Sequence, residues 1–457
     1  MIPLEVRYMP DQINPEVVVT STPKKNFPKA FILIILALVL LGLGFFIYIK
    51  IKTSIKPSSG EIVWWGLWED EATISPLIAE YEAKNPRIKI KYVAQSKEDY
   101  RERLTNALAK GTGPDIFTFH NSWVPMFKNY LDPIPAAVMT PSEFSQVFYP
   151  VMVSDLTSGT GILGIPLGYD ALALFINNDI FASYGKNPPV TWDDLRSLAI
   201  ELTTKDDQGV IIQSGVALGR TENVDHWQEI LALMMLQNGV DLSNLIGKLA
   251  EDALTYFTYF SSVDGVWDTS LPTSTTMFAG GRLAMYFAPS WRVFEILQLN
   301  PSLNFKTVPL PQLAKGSSNQ KDVTYATYWV QGVSNKGKNK TAAWEFLKFI
   351  SSKDSLSKLY ANASRQRKFG EAYPRVDMAS LLTDNPILGS IIAQAPNARS
   401  WYLQSRTFDG PTGINSLINK YFEDAVNAVN ARSTAVNVLP TVAQGVLQVL
   451  KQYGIAR

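Results

Sequence analysis

The chain predicts an α/β fold preceded by one membrane-spanning helix, and three features carry that prediction. Between Glu61 and Phe119 the apolar residues switch between a two-residue and a 3.6-residue period, in the order β-α-β-α-β. Such an order implies a parallel sheet with helices on its faces. Ahead of it, residues 30–49 read AFILIILALVLLGLGFFIYI, 20 uncharged residues between Lys29 and Lys50. At about 1.5 Å per residue they reach about 30 Å, the thickness of a bilayer core. Finally, 457 residues with 46% hydrophobic side chains are enough for more than one domain and a sizeable core.

In chain order, residues 1–28 carry several prolines and no hydrophobic period, and read as a disordered cytoplasmic tail. Residues 29–50 form the anchor. KIKTSIK follows the span where a small-x-small cleavage site would stand, so the anchor reads as uncleaved. Lys24, Lys25 and Lys29 precede it and Lys50, Lys52 and Lys56 follow, a balance that leaves orientation to the downstream domain. Residues 51–60, with KPSSG, form a linker, and 61–457 the folded domain.

EIVWW (61–65) reads as a strand. Ile74, Leu77, Ile78 and Tyr81 make one helix face, ended by Asn85-Pro86. Ile88, Ile90 and Tyr92 alternate with lysines as a second strand. Tyr100, Leu104, Ala107 and Leu108 mark a helix closed by Gly111, and DIFTF (115–119) is the third strand. Residues 161–178 are a strand-rich crossing. Thr191 caps a helix, with Asp194 at the third following position. Segments 227–236, 341–350 and most of the chain after Ile414 read as helix.

Composition excludes several chemistries. The absence of cysteine removes disulfides, thiol catalysis and zinc–thiolate or iron–sulfur sites. His120 and His226 are the only histidines, too few for a histidine metal cage, and neither a metal nor a cofactor is expected. A net charge of +1 argues against nucleic acid. GVSNKGKN (332–339) begins like a P-loop, but Asn339 stands where Ser or Thr would bind magnesium, so it reads as a polar turn. Asp193 and Asp194 fall in a helix's first turn, where the macrodipole favours acids. Glu69 and Asp70 follow a strand end, where a ligand site and a helix N-terminus are both open to them.

Aromatic residues carry the stronger signal. Trp64, Trp65 and Trp68 stand at the first strand's exit; Phe119, His120, Asn121 and Trp123 at the third; Tyr169 and Asp170 at the crossing; Trp291 after LAMYFAPS; Tyr328 and Trp329 after VTYAT. Each alone fits a core position, but their recurrence at strand ends is less easily explained by packing. Flat rings among Asp, Glu, Asn and Arg suit a polyhydroxylated ligand, whose C–H faces stack and whose hydroxyls take charge-assisted hydrogen bonds.

From Glu61 onward the chain resembles the family 1 extracellular solute-binding proteins of ABC importers. The matching pieces come in family order: EIVWWGLWED, LAKGTGPDIFTF, GIPLGYDALALFINNDIF, TWDDLRSLAIELT, FAGGRLAMYFAPSW and NKGKNKTAAWEFLKFI. Ala288-Pro289 departs from the family's usual glycine before the tryptophan, and the family's lipid-anchored cysteine is missing, a role the membrane helix could take.

The resemblance implies a two-lobe periplasmic-binding-protein-like (type II) fold with a hinge. Lobe one would hold 61–168 and 322–358, and lobe two 169–321 and 359–457. A ligand would bind between them and favour a closed state recognised by a permease. Trp68, Glu69, Asn121, Trp123, Tyr328 and Trp329 would face it from lobe one and the hinge. Tyr169, Asp170, Trp227, Trp291 and Trp401 would face it from lobe two. The implied function is a non-enzymatic, monomeric binding protein that delivers a sugar to ABC permease subunits, with its N-terminus inside the cell and its domain outside. A polyamine or glycerol phosphate ligand, a membrane-tethered glycosidase, and a sensor module are the rival readings.

Overall fold

The computed structural model describes residues 38, 40–42, 60–159, 161–315 and 321–455. The expected tail, linker and membrane span lie outside the described residues, except Leu38, Leu40, Leu41 and Gly42, which are helical, and Gly60. Among the described residues no helix is long and apolar enough to cross a membrane.

Among the described residues eleven strands build the two large sheets. They are β1 (Gly60–Gly66), β2 (Ile88–Ala94), β3 (Ile116–His120), β4 (Leu131–Asp132), β5 (Ile165–Pro166), β6 (Ala173–Asn177), β7 (Thr204–Lys205), β8 (Ile211–Val216), β9 (Leu283–Ala288), β10 (Phe305–Val308) and β11 (Trp329–Ser334). The first sheet has the order β2-β1-β3-β11-β4, with β5 also on β11; the second has the order β10-β6-β9-β8-β7. The parallel expectation holds for β1 with β2 and β3. It fails at β11, which runs antiparallel to β3 with Trp329 opposite His120. The cause is topological. The chain leaves the first sheet at β5, builds the second, and re-enters the first from the opposite end.

Helices cover both sheets. Helix Glu71–Lys84 buries Ile74, Leu77, Ile78 and Tyr81, the face its spacing predicts, and ends at Asn85. Helix Lys340–Ile350 packs beside it, with Phe346 edge-on to both Tyr81 (5.1 Å) and Trp64 (5.6 Å). Helix Lys353–Ala363 joins the same layer through Lys358–Glu80 (2.8 Å) and Asn362 to the Thr73 carbonyl (3.2 Å). Residue 358, the expected end of lobe one's second segment, lies within this helix.

In the second lobe Thr191 and Asp194 form the reciprocal cap expected of helix Trp192–Glu201: Asp194 N–H donates to Thr191 Oγ1 (3.1 Å), and Thr191 N–H to Asp194 Oδ2 (3.0 Å). Helices Ile414–Asn430 and Ala435–Gln452 pack on helix Lys248–Ser262. Between the lobes the crossing segments pair with one another. Tyr169 bridges Ala372 and Ala171 bridges Ala326, and Thr324–Tyr325 runs parallel to Ala398–Arg399.

Candidate functional site

A cavity of about 560 Å³ opens between the two sheets, within the range typical of small-molecule sites. The exit of β1 forms one wall. Gly66 lies so close under Tyr92 that a Cβ there would meet the phenol oxygen at 2.2 Å. Tyr92 donates its hydroxyl to the Glu69 carbonyl (2.6 Å), which fixes the turn. Inside that turn Glu69 N–H donates to the Leu67 carbonyl (2.8 Å) across Trp68, whose φ is +70°. This is the rare positive-φ γ-turn, a strained conformation for a bulky residue. It projects Trp68 outward, 45% exposed, edge-on to Trp329 at 5.2 Å and tilted on Phe408 at 5.9 Å.

The two acids after Trp68 divide. Asp70 accepts from Thr73 N–H (2.8 Å) and caps helix Glu71–Lys84. Glu69 faces the cavity and pairs with Arg367 (2.6 Å), which also holds Glu371 (3.1 Å). Burial, then the neighbouring Glu371, raises the Glu69 carboxyl above its usual range, against the pull of Arg367.

The exit of β3 behaves differently. It turns at once into a 3-10 helix, Asn121–Trp123. His120 stays at the cavity, with Nδ1 on Ser122 Oγ (2.8 Å), Nε2 on Thr327 Oγ1 (3.1 Å), and its ring edge-on to Trp329 (5.0 Å). Burial depresses its pKa from 6.5 to about 3, so the imidazole is neutral. Asn121 turns away and donates to Asp155 Oδ2 (2.9 Å), which also accepts from Tyr328 Oη (2.8 Å), while Ser400 Oγ donates to Asp155 Oδ1 (2.6 Å). Trp123 is fully buried, stacked on Phe127 (5.7 Å) and edge-on behind Trp329 (5.4 Å).

At the crossing, Asp170 accepts from Ser290 N–H (3.0 Å), Ser290 Oγ (2.9 Å) and Ala171 N–H (2.8 Å). Burial outweighs these donors and pushes its carboxyl up to about 6. The same bonds fix the turn after β9 that delivers Trp291. Its indole lies under the Arg292 guanidinium (4.6 Å) and edge-on to His226 (5.4 Å), and Pro289, the departure from the family glycine, also lines the cavity.

Arg292 is itself buried. It donates Nε–H to His226 Nε2 (2.8 Å), pairs with Asp225 (3.1 Å), and holds Glu295. A donor at Nε2 leaves the His226 proton on Nδ1, facing Ser405 Oγ (2.9 Å). Ser405 passes its hydroxyl to Glu229 Oε1 (2.9 Å) and also donates its N–H there (2.7 Å). Burial is the main reason the His226 pKa lies below its ordinary value.

Of the expected site residues, Trp68, Glu69, Tyr169, Asp170, Trp291, Tyr328 and Trp329 line the cavity. Asn121, Trp123, Trp227 and Trp401 do not. Asn121 and Trp123 are drawn into the core by the helical turn. Trp227 opens helix Trp227–Gln237 and borders a separate polar cavity of about 310 Å³. Trp401 packs on Tyr402 and Phe422.

Sequence reading missed Arg367, Glu371, His226, Glu229, Arg406 and Phe408 as lining residues. They come from loops and a helix start with no periodic signal. One structural signature marks the site. Among the described residues six non-glycines have positive φ, and four of them, Trp68, His226, Arg406 and Phe408, line this cavity. Such strain collects where the fold must aim a side chain. Among the described residues no group of three or more His, Asp or Glu is placed to hold a metal ion.

The chain is similar to known binding proteins. A binding protein of Brucella abortus (strain 2308) is 23% identical over 299 residues, 62% of this chain and 69% of the relative. The maltotriose-binding protein of Pyrococcus abyssi is 22% identical over 319 residues, 66% of this chain and 65% of the relative. The crystal structure of a cyclo/maltodextrin-binding protein complexed with maltotetraose superposes with a TM-score of 0.70 at 16% identity. It covers 88% of this chain and all of the other, a likeness that shows the two-lobe fold. The bacterial extracellular solute-binding protein family matches residues 65–356, and with that span this chain belongs to it.

Proposed function

We propose that this protein captures a neutral sugar or oligosaccharide between its lobes outside the cell and delivers it to an ABC permease, held at the membrane by residues 30–49. The observation that carries this reading is the cavity's make-up: indoles of Trp68, Trp291 and Trp329 set among fixed polar groups. Rings of this kind stack on sugar C–H faces, and fixed acceptors read hydroxyls. The family membership and the oligosaccharide ligands named for the relatives support the same reading.

Four of the five carboxylates that line the cavity are already paired within the protein, which favours a neutral ligand. Glu69 and Glu371 share Arg367, Asp170 is filled by N–H and hydroxyl donors, and Glu295 is held by Arg292. These carboxylates have partners without a polyamine; of the lining cations Arg367 is engaged by Glu69 and Glu371, Arg406 lies 3.7 Å from Asp225, and Lys97 lies over the Phe408 ring.

Calorimetric titration of the full chain in detergent tests the reading, with maltotriose, mannotriose, tagatose, spermidine and glycerol phosphate. Saturable sugar binding is expected, with a dissociation constant on the order of micromolar, about −8 kcal/mol. Binding of spermidine or glycerol phosphate alone would overturn the sugar assignment. For the anchor, N-terminal sequencing of the membrane fraction should find the intact start; a mature chain beginning after Ile51 would overturn it.

A further inference from the structure

Among the described residues, two that line the cavity carry a buried side-chain oxygen without a hydrogen-bond partner, Tyr169 Oη and Glu229 Oε2. The carboxylate is the more telling. Glu229 is 2% exposed. Its Oε1 is filled by Ser405 N–H and Oγ–H. No donor bonds its Oε2: His226 Nδ1 stands 3.8 Å away, beyond hydrogen-bond range, and is engaged with Ser405 Oγ. A buried carboxylate oxygen without a donor is costly, and the native arrangement persists when a donor arrives from elsewhere.

The surroundings hold Glu229 in place. It sits in the first turn of helix Trp227–Gln237, and the chain Asp225–Arg292–His226–Ser405 locks its other oxygen. The other carboxylates lining the cavity already have partners, as described above. His226, Ser405 and Arg406 also border the polar side cavity, so Glu229 stands at the end of the main cavity where the two adjoin.

We propose that Glu229 is a specificity-determining acceptor that takes a hydroxyl of the bound sugar on Oε2, at the end of the cavity next to the polar side cavity. A carboxylate there reads a donor and rejects a ligand that offers only acceptors, such as a phosphate or carboxylate group. The inference rests on the sugar-binding reading and adds a residue, a ligand group and a place to it.

The test titrates full-length wild type, Glu229→Gln and Glu229→Asp with maltotriose, mannotriose, maltose and their monodeoxy analogues, beside thermal melts. Glutamine can still accept from Ser405 through its Oε1, so the fold is expected to persist while affinity falls by about 10- to 100-fold, as for loss of a charge-assisted hydrogen bond. One monodeoxy analogue should bind wild type more weakly and lose that penalty in Glu229→Gln, a coupling that a purely structural role would not produce. Should the glutamine variant not fold, the same coupling is read in Glu229→Asp, which keeps the charge and withdraws the oxygen. Wild-type sugar binding with unchanged affinity in the variants, or with additive effects, overturns this inference alone. No sugar binding by wild type overturns the functional reading and this inference with it.

Discussion

Two strand exits in the first sheet look alike in sequence and do opposite things in space. After β1 the chain reads Leu67-Trp68-Glu69; after β3 it reads Asn121-Ser122-Trp123. Both put a tryptophan and a polar residue just past a strand. The first turns through a positive φ and throws its indole into the cavity; the second coils at once and folds its indole into the core. The lesson is that a strand exit selects a neighbourhood, while the backbone of the turn decides where the side chain points.

The largest effect that would break this contrast is on stability. Trp123→Ala removes a fully buried indole and should cost about 3–5 kcal/mol in urea unfolding, with less effect on sugar affinity than Trp68→Ala. If stability were untouched, the two exits would not differ as described. Next, Trp68→Ala and Trp291→Ala should each weaken sugar binding by about tenfold in calorimetry, through loss of a stacking face. Trp68→Ala should leave the urea midpoint almost unchanged, because the ring is 45% exposed.

A pH series sharpens the β3 side. His120 is held neutral, its pKa depressed from 6.5 to about 3 by burial. The unfolded chain therefore binds a proton below pH 6.5 that the folded chain refuses, and the stability this site provides is lost as pH falls from 6.5 towards 3. In His120→Gln that loss is absent. The stability gap between wild type and variant should close by about 1.4 kcal/mol per pH unit below 6.5, measured by urea unfolding. A gap constant in pH would mean that His120 charges in the fold. The smallest effect tests the turn itself. Trp68→Gly should be more stable than Trp68→Ala by about 1 kcal/mol, since glycine adopts positive φ without penalty.

Much of the frame was legible because it is written locally. Periodicity marked β1, β2, β3 and their helices, and the Thr191–Asp194 cap was readable from a four-residue pattern. Trp291 was readable because the turn that delivers it lies beside its own strand. The rest was hidden for a physical reason. The pairing of β11 with β3 joins residues about two hundred positions apart, and neither strand names its partner. Arg367 and Glu371 reach Glu69, and Ser405 reaches Glu229, only after three crossing segments have paired. Their charges carry no local pattern. The misplacement of Asn121 and Trp123 came from a choice between helical turn and open loop that one sequence leaves undecided.

The return of β11 to the middle of the first sheet also sets a timetable for synthesis. β3 is made by residue 120, yet the strand that covers its free edge begins at residue 329. At about 5–20 residues per second the ribosome needs about 10–40 s to supply it. Through that interval the first half of the protein carries an open, wholly buried-type strand edge, the kind that pairs with other chains. The nascent first lobe cannot mature ahead of the second, so both finish together, and any factor that shields the growing chain must hold it until the last third has emerged.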